Sequence, residues 1–273
     1  MFSIINSGMS TALQELSTIS NNISNANSTG FKKSSVSFSE FYNGRNASSV
    51  ESAMVGLGAN VESSRRSNSQ GGFVETERSL DAAISGSGYF MTQAAGQEEG
   101  YSVTRNGTFS LDSEGFLVSQ DGEFVLGMSA TGEEFVGEDV EVDAGTLERI
   151  QVPIVDQDGP LSSISIGDNG NILATFGEGD EVPVATISLT IVSNPDGLKQ
   201  LGGGKYLQTD SSGTIFLGNP NTSGFGSLKM GFVEGSNVDI TTEMTHMIRA
   251  QQQFNGAARI MQTNSDMIEK MTR

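Results

Sequence analysis

The chain has 273 residues, with 15 Lys and Arg against 33 Asp and Glu, one His, and no Cys or Trp. Those counts exclude a disulfide framework, a thiolate metal site and a cysteine nucleophile, and they leave His246 as the single imidazole for any triad. A net charge of −18 makes nucleic acid and anionic lipid poor partners.

Residues 1–44 hold Glu15 and Glu40 against Lys32 and Lys33, and residues 237–273 hold four acids and four bases, so the whole excess lies in 45–236. Neutral ends can pack closely on copies of one another, whereas an acidic middle stays solvated. No apolar run reaches the roughly 20 residues that span a bilayer. The opening MFSIINSGMSTALQEL has neither a basic start nor a continuous apolar core, so a cleaved secretory signal is not expected.

In chain order, the first predicted element is a helix. Ile5, Met9, Ala12, Leu16, Ile19, Ile23 and Ala26 recur at alternating steps of four and three, an apolar seam with Ser, Thr, Asn and Gln on the other faces. The turn-prone Asn27-Ser28-Thr29-Gly30 stops it. Residues 45–72, rich in Ser, Asn and Gly, read as a connector or extended arm. Within it Val50, Met54, Val55, Leu57 and Val61 are apolar residues that a free loop would not need. Gly56 and Gly58 would permit a tight reversal, giving a short hairpin that reaches onto a neighbouring copy; the alternative is a stretch that folds back on its own β domain.

Short β-branched or aromatic runs follow, with strands expected at 89–93, 102–105, 108–111, 116–119, 124–126, 163–166, 172–176 and 184–192. Turn dipeptides separate them: Asn106-Gly107, Glu114-Gly115, Asp121-Gly122, Asp158-Gly159, Asn169-Gly170 and Asp196-Gly197. This spacing argues for an all-β sandwich or irregular barrel. A second connector, 218–227, leads to a closing helix in which Ile240, Met244, Met247, Gln251, Phe254, Ala258, Met261, Ser265 and Ile268 repeat the seam. Ser236 followed by Asp239 fits a capping box at its start.

The expected class is therefore α+β: terminal helices forming a coiled coil, with an inserted all-β domain. The expected segments are 1–44 for the first helix, 45–75 for the arm, 76–217 for the β domain, 218–236 for the return and 237–273 for the last helix. A single domain whose two ends are core helices is the alternative, although neither helix has a clear apolar partner in the middle.

The cluster Gly202-Gly203-Gly204-Lys205-Tyr206 invites a phosphate-loop reading. The pattern G-x-x-x-x-G-K-S/T fails twice, with Lys199 where the first Gly belongs and Tyr206 in place of Ser or Thr, so a turn is expected. The acidic turns at Asp112 and Asp168 lack the Glu that closes an EF-hand loop. No carboxylate is set apart for glycoside hydrolysis, and there is no Trp to hold a sugar. His246 lies off the seam among Met244, Met247 and Ile248, the place of a packing or surface histidine. No constellation supports catalysis, and neither cofactor nor metal is expected.

The core Asn21-Asn22-Ile23-Ser24-Asn25, followed by Ser28-Thr29-Gly30-Phe31-Lys32, closely resembles the signature of bacterial flagellar axial proteins of the rod and hook. That signature has an Asn-Asn-Ile/Leu-x-Asn core followed by Thr-x-Gly-Phe/Tyr-Lys/Arg. Gly235-Ser236-Asn237-Val238-Asp239-Ile240, with Glu243-Met244, Met247-Ile248 and Ala250-Gln251 beyond it, looks like the family's closing helix. Two internal stretches agree, one opening at Leu80-Asp81 and the other Thr104-Arg105-Asn106-Gly107-Thr108-Phe109. After Ala250-Gln251 the family usually has a basic residue and an aromatic; here Gln252 departs from the pattern and Phe254 keeps it.

The resemblance implies a structural, non-enzymatic subunit of the flagellar basal body, self-assembling into a hollow axial tube that carries motor torque. Length places it nearer the distal-rod members than the hook members, with the proximal rod and a short hook as alternatives. Implied partners are copies of itself in a helical homo-polymer, other rod, hook and ring proteins, and the export apparatus that passes the unfolded chain. No nucleic acid, small-molecule substrate or cofactor is implied. Ile5, Met9, Ala12, Leu16, Ile19, Ile23, Ile240, Met244, Met247, Phe254, Ala258, Met261 and Ile268 become the assembly seam, and Asn21, Asn22, Asn25, Thr29, Gly30, Phe31, Lys32, Ser236, Asn237 and Asp239 the family motif. Lys32 and Lys33 could pair with acids of an adjacent copy. The competing class is a monomeric acidic β-domain protein, either a binding module or a hydrolase.

Overall fold

The computed structural model describes residues 2–42, 56–96, 100–129, 147–156, 159–177, 179, 181–222 and 224–272. Val50, Met54 and Val55 of the arm and Asp158 of one expected turn lie outside the described residues. The architecture is α+β, with a helix at each end of the chain and strands between them. Two compact units share the chain. Among the described residues no helix is long and apolar enough to cross a membrane.

The first unit takes Met1–Ala26, Lys32–Ser67 and Val238–Arg273. It holds helix α1 (Phe2–Ser24), strands β1 (Ser34–Tyr42) and β2 (Gly56–Arg66), and, from the far end of the chain, helix α2 (Ile240–Thr272). The end of α1 meets the start of α2, and the helices pack side by side and antiparallel. β1 and β2 pair antiparallel from Ser34↔Arg66 to Tyr42↔Gly56, and both pack on α1. The expected reversal at Gly56 and Gly58 is absent, because both residues belong to β2. Gly58 serves another purpose: at φ +112 it lets the strand approach α1 so closely that a Cβ there would collide with the Ser7 hydroxyl.

Asp239 starts α2, accepting from the amides of Thr241 at 2.9 Å and Thr242 at 3.4 Å. It is therefore the N-cap itself, and the expected capping box led by Ser236 is corrected by one turn. α1 ends on its own asparagines, with the Asn25 side-chain amide donating to the Asn21 carbonyl at 3.0 Å.

The second unit takes Asn27–Phe31 and Asn68–Asn237. Its strands are β3 (Phe73–Glu75), β4 (Ala82–Ser85), β5 (Tyr89–Gln93), β6 (Ser102–Thr104), β7 (Phe109–Leu111), β8 (Leu117–Ser119), β9 (Phe124–Ser129), β10 (Glu148–Arg149) and β11 (Val155–Asp156). They continue as β12 (Gly159–Ile166), β13 (Asn171–Phe176), β14 (Glu181–Ile187), β15 (Leu189–Val192), β16 (Lys199–Gly202), β17 (Lys205–Leu207), β18 (Ile215–Gly218), β19 (Ser227–Met230) and β20 (Phe232–Glu234).

The main sheet follows the order β11-β12-β13-β14-β9-β5-β6-β17-β16, and β19 and β20 pair separately with β4 and β3. The run expected as one strand, 184–192, is two, broken at Ser188. The reason is that β5 shares one edge between two neighbours. β14 lies along β9, and past Ser188 the chain turns to follow the first residues of β5 as β15. Buried side chains gather in two clusters, one around Phe90, Phe109, Ile172 and Ile187, the other around Tyr89, Met91, Tyr206 and Leu217.

Candidate functional site

The first group of expected site residues lies in the first unit. On α1, Ala12 and Ile19 are buried and Ile5, Met9, Leu16 and Ile23 half-buried, so the predicted stripe is one face. α2 turns a slightly different face inward: Glu243, Met247, Ala250, Phe254, Ala257, Met261 and Asn264, again at steps of four and three. Ala250, with almost no side chain, is the most enclosed of them and allows close approach. Ala258 is half-buried, while Ile240, Met244 and Ile268 are exposed in this chain, as are Gln251 and Ser265.

Sequence reasoning missed Glu243, which is only 6% exposed between the helices. Its carboxylate accepts from the Asn22 side-chain amide at 3.1 Å. The same amide donates to the Ser34 carbonyl at 2.8 Å, and the Asn22 side-chain oxygen accepts from the Ser34 amide at 3.0 Å. One motif asparagine thus ties α1 to β1 and α2. A Glu in the first turn of α2 was visible in the sequence, but it also suits the helix dipole, so burial was not signalled. Lys32, expected to reach acids of an adjacent copy, is 4% exposed and has almost no surface to offer. Lys33 is half-buried. Hydrogen bonds from Thr242 and Thr241, with the charge of Lys33, hold the Asp239 carboxyl below its usual range.

The remaining motif residues meet in the second unit. Gly30 and Phe31 are buried, Thr29, Ser236 and Asn237 half-buried. The Gly30 amide donates to the Glu234 carbonyl at 2.7 Å, and the Asn237 amide to the Phe31 carbonyl at 3.4 Å. The Asn237 side chain donates to the carbonyl and hydroxyl of Ser69 at 2.9 and 3.0 Å. Glu234 is fully buried, accepting from the Gly71 amide at 2.9 Å and from Arg105 at 3.3 Å. The Arg105 guanidinium lies 5.0 Å above the Tyr89 ring. Gly30 has φ +69, and a Cβ there would stand 2.9 Å from the Asn106 amide nitrogen. The signal for Glu234 was a charge inside the short apolar run Phe232-Val233, directly before the Gly235 motif.

The glycine cluster Gly202, Gly203 and Gly204 makes the turn between β16 and β17, all three with positive φ. Lys205 beside it binds Glu123 at 2.8 Å and Asp121 at 3.2 Å. Burial pushes the Glu123 carboxyl up, but hydrogen bonds from Lys205, Thr92 and Ser102 outweigh it and hold the group below its ordinary value. Burial likewise opposes the Lys205 charge, and the bonds to Glu123 and Asp121 carry its pKa above the usual one. His246 is exposed on α2. Among the described residues no three His, Cys, Asp or Glu side chains gather as metal ligands.

Three family models match the chain: Flagella basal body rod protein over 5–32, Flagellar hook protein FlgE/F/G D1 domain over 83–174, and Flagellar basal body rod FlgEFG protein C-terminal over 229–273. The chain is also similar to the flagellar basal-body rod protein FlgG of Bacillus subtilis (strain 168). The two are 34% identical over 275 residues, 97% of this chain and 95% of that protein. The chain belongs to the flagellar basal-body rod protein family. FlgG of Agrobacterium fabrum (strain C58 / ATCC 33970) is 30% identical across 95% of this chain and 93% of its own.

The hook protein FlgE of Caulobacter vibrioides (strain ATCC 19089 / CIP 103742 / CB 15) is 34% identical over 113 residues, which is 41% of this chain and 19% of that protein. The hook likeness is therefore partial. As a member of the rod family the chain is a structural subunit of the flagellar basal body. The three matched stretches carry part of both clusters: Asn22 and Gly30 in the first, Arg105 in the second, Glu234, Asn237 and Glu243 in the third, while Ser34, Ser69 and Gly71 lie outside them.

Proposed function

We propose that the chain is a distal-type rod subunit that polymerises with copies of itself into a hollow helical tube, transmitting motor torque and leaving an axial channel for export. In that tube the helices of many copies form an inner coiled-coil layer through the seam residues of α1 and α2. Residues 76–217 form the outer layer, with 45–75 as the connecting arm and 218–236 as the return. The role is non-catalytic and uses no cofactor. Its partners are its own copies, other rod, hook and ring proteins, and the export apparatus that passes the unfolded subunit.

The observation that carries this reading is the apolar surface of α2 outside the helix pair. Met244, Ile248, Ile260, Met267, Ile268 and Met271 are all exposed. Such a face gains stability when other helices cover it. α2 also outruns α1, 33 residues against 23, or about 15 Å of additional helix. Neutral ends allow these faces to approach without repulsion, while the acidic middle keeps the outer surface hydrated.

Removing residues 240–272 should abolish polymerisation of the purified chain while the cooperative melting of the second unit persists. Tubes formed by the truncated chain would refute the reading.

A further inference from the structure

The backbone passes between the two units at 26/27, 31/32, 67/68 and 237/238. In the second unit the stretches next to those passages lie side by side and are bonded to one another. Stretch 27–31 is held by the Gly30–Glu234 and Phe31–Asn237 backbone bonds. Stretch 68–75 is held by Ser69 to Asn237, Gly71 to the Glu234 carboxylate, Gly72 to the Gly235 amide, and the pairing of β3 with β20. Glu234 is then fixed to Arg105, which follows β6 of the main sheet. The place where a Gly71 Cβ would sit is filled by the Gly235 carbonyl, so the stretches touch at backbone distance.

Force that the covalent chain carries between units travels along these backbones. Separate strands bonded laterally share a pull, whereas a single strand would deliver it to one point. We propose that the cluster of Glu234, Asn237, Ser69, Gly71, Gly30 and Arg105 is a mechanical anchor, through which torque enters the β unit. The proposal rests on the rod reading. A buried ion pair that served folding alone would change melting and leave load tolerance untouched.

The test uses the full chain in a strain lacking its own copy, with swimming speed followed as the viscosity of the medium rises. The chain has no cysteine, so Ser69→Cys with Asn237→Cys places its only two thiols where those side chains meet at 3.0 Å. The oxidised state is scored only on chains whose disulfide is verified by non-reducing mass analysis. Reduced, this double variant should swim as the parent does in dilute medium and stall at a viscosity where the parent still moves. Oxidised, it should regain the parent's profile. Glu234→Gln should show the same early stall.

Identical speed–viscosity profiles in the two redox states would overturn the proposal. So would loss of assembly in both Glu234→Gln and the oxidised double variant, since the cluster would then act on folding alone. A parent chain that restored no motility at any viscosity would refute the rod reading itself, and the anchor with it.

Discussion

Replacing Gly30 by alanine probes the meeting of the motif stretches directly. At φ +69 the residue is in the left-handed region, which costs an L-residue about 1–2 kcal/mol. The new Cβ would stand 2.9 Å from the Asn106 nitrogen and 3.1 Å from the Arg105 carbonyl carbon. Both are backbone atoms. The first is held by its 3.0 Å bond to the Thr104 hydroxyl, and Gly30 itself by its 2.7 Å bond to Glu234, so neither side yields cheaply. Overpacking of that kind adds about 1–3 kcal/mol. The sum, about 2–5 kcal/mol, should lower the melting temperature of the second unit by on the order of 10 °C.

Gly122→Ala supplies the control. Its φ of +77 is nearly the same, but no atom lies within 4 Å of its Cβ position. That variant should lose only the conformational part, about 1–2 kcal/mol. Scanning calorimetry of parent and both variants decides the matter. Equal melting temperatures for the two alanine variants would refute the close-approach argument.

Asn22→Ala removes bonds of 2.8, 3.0 and 3.1 Å and leaves Glu243 buried without that donor; it should destabilise the first unit by about 2–3 kcal/mol, read as earlier loss of helical ellipticity on heating. Phe254→Asp places a charge on the half-buried face of α2, where burial costs several kcal/mol; motility should be lost while the second unit melts as before, and a motile strain would contradict it. Because Glu123 has a lowered folded pKa, its stabilisation is complete above the unfolded value of about 4.3 and is lost as pH falls through the lower folded value. The stability gap between the parent and Glu123→Gln should therefore close on acidification, and a gap independent of pH in urea titrations would refute the assignment.

The strands were legible where branched or aromatic residues alternate between turn glycines: 89–93 was read to the residue, and the turn glycines Gly115, Gly122 and Gly170 do take positive φ. β2, β3, β19 and β20 were read as parts of connectors because their stretches are rich in Ser, Gly and charge. They are strands through pairing with distant partners, and that pairing overrides weak local preference. The seam of α1 could be read because only one apolar stripe exists there. α2 carries apolar residues on two sides, so periodicity alone did not decide which side turns to α1. Small Ala250 and the buried carboxylate of Glu243 decided it. The motif glycine and asparagines were found as letters. Their partners Gly71 and Ser69 lie far along the chain and leave no local pattern, and Glu234 shows only as a charge beside Phe232-Val233.

The long span between partners has a temporal consequence. Asn22 and Glu243 are 221 positions apart, and the first unit closes only when the final helix joins the opening one. Translation produces the N-terminus first, so for most of the chain's growth the 23-residue α1 has β1 and β2 to pack on but lacks α2, and helical stability in proteins comes chiefly from such packing. Contacts of such long range also form late and slowly compared with local helix formation. The adhesive helix pair is thus withheld until the last segment is present, and an unfinished chain has no means of displaying it.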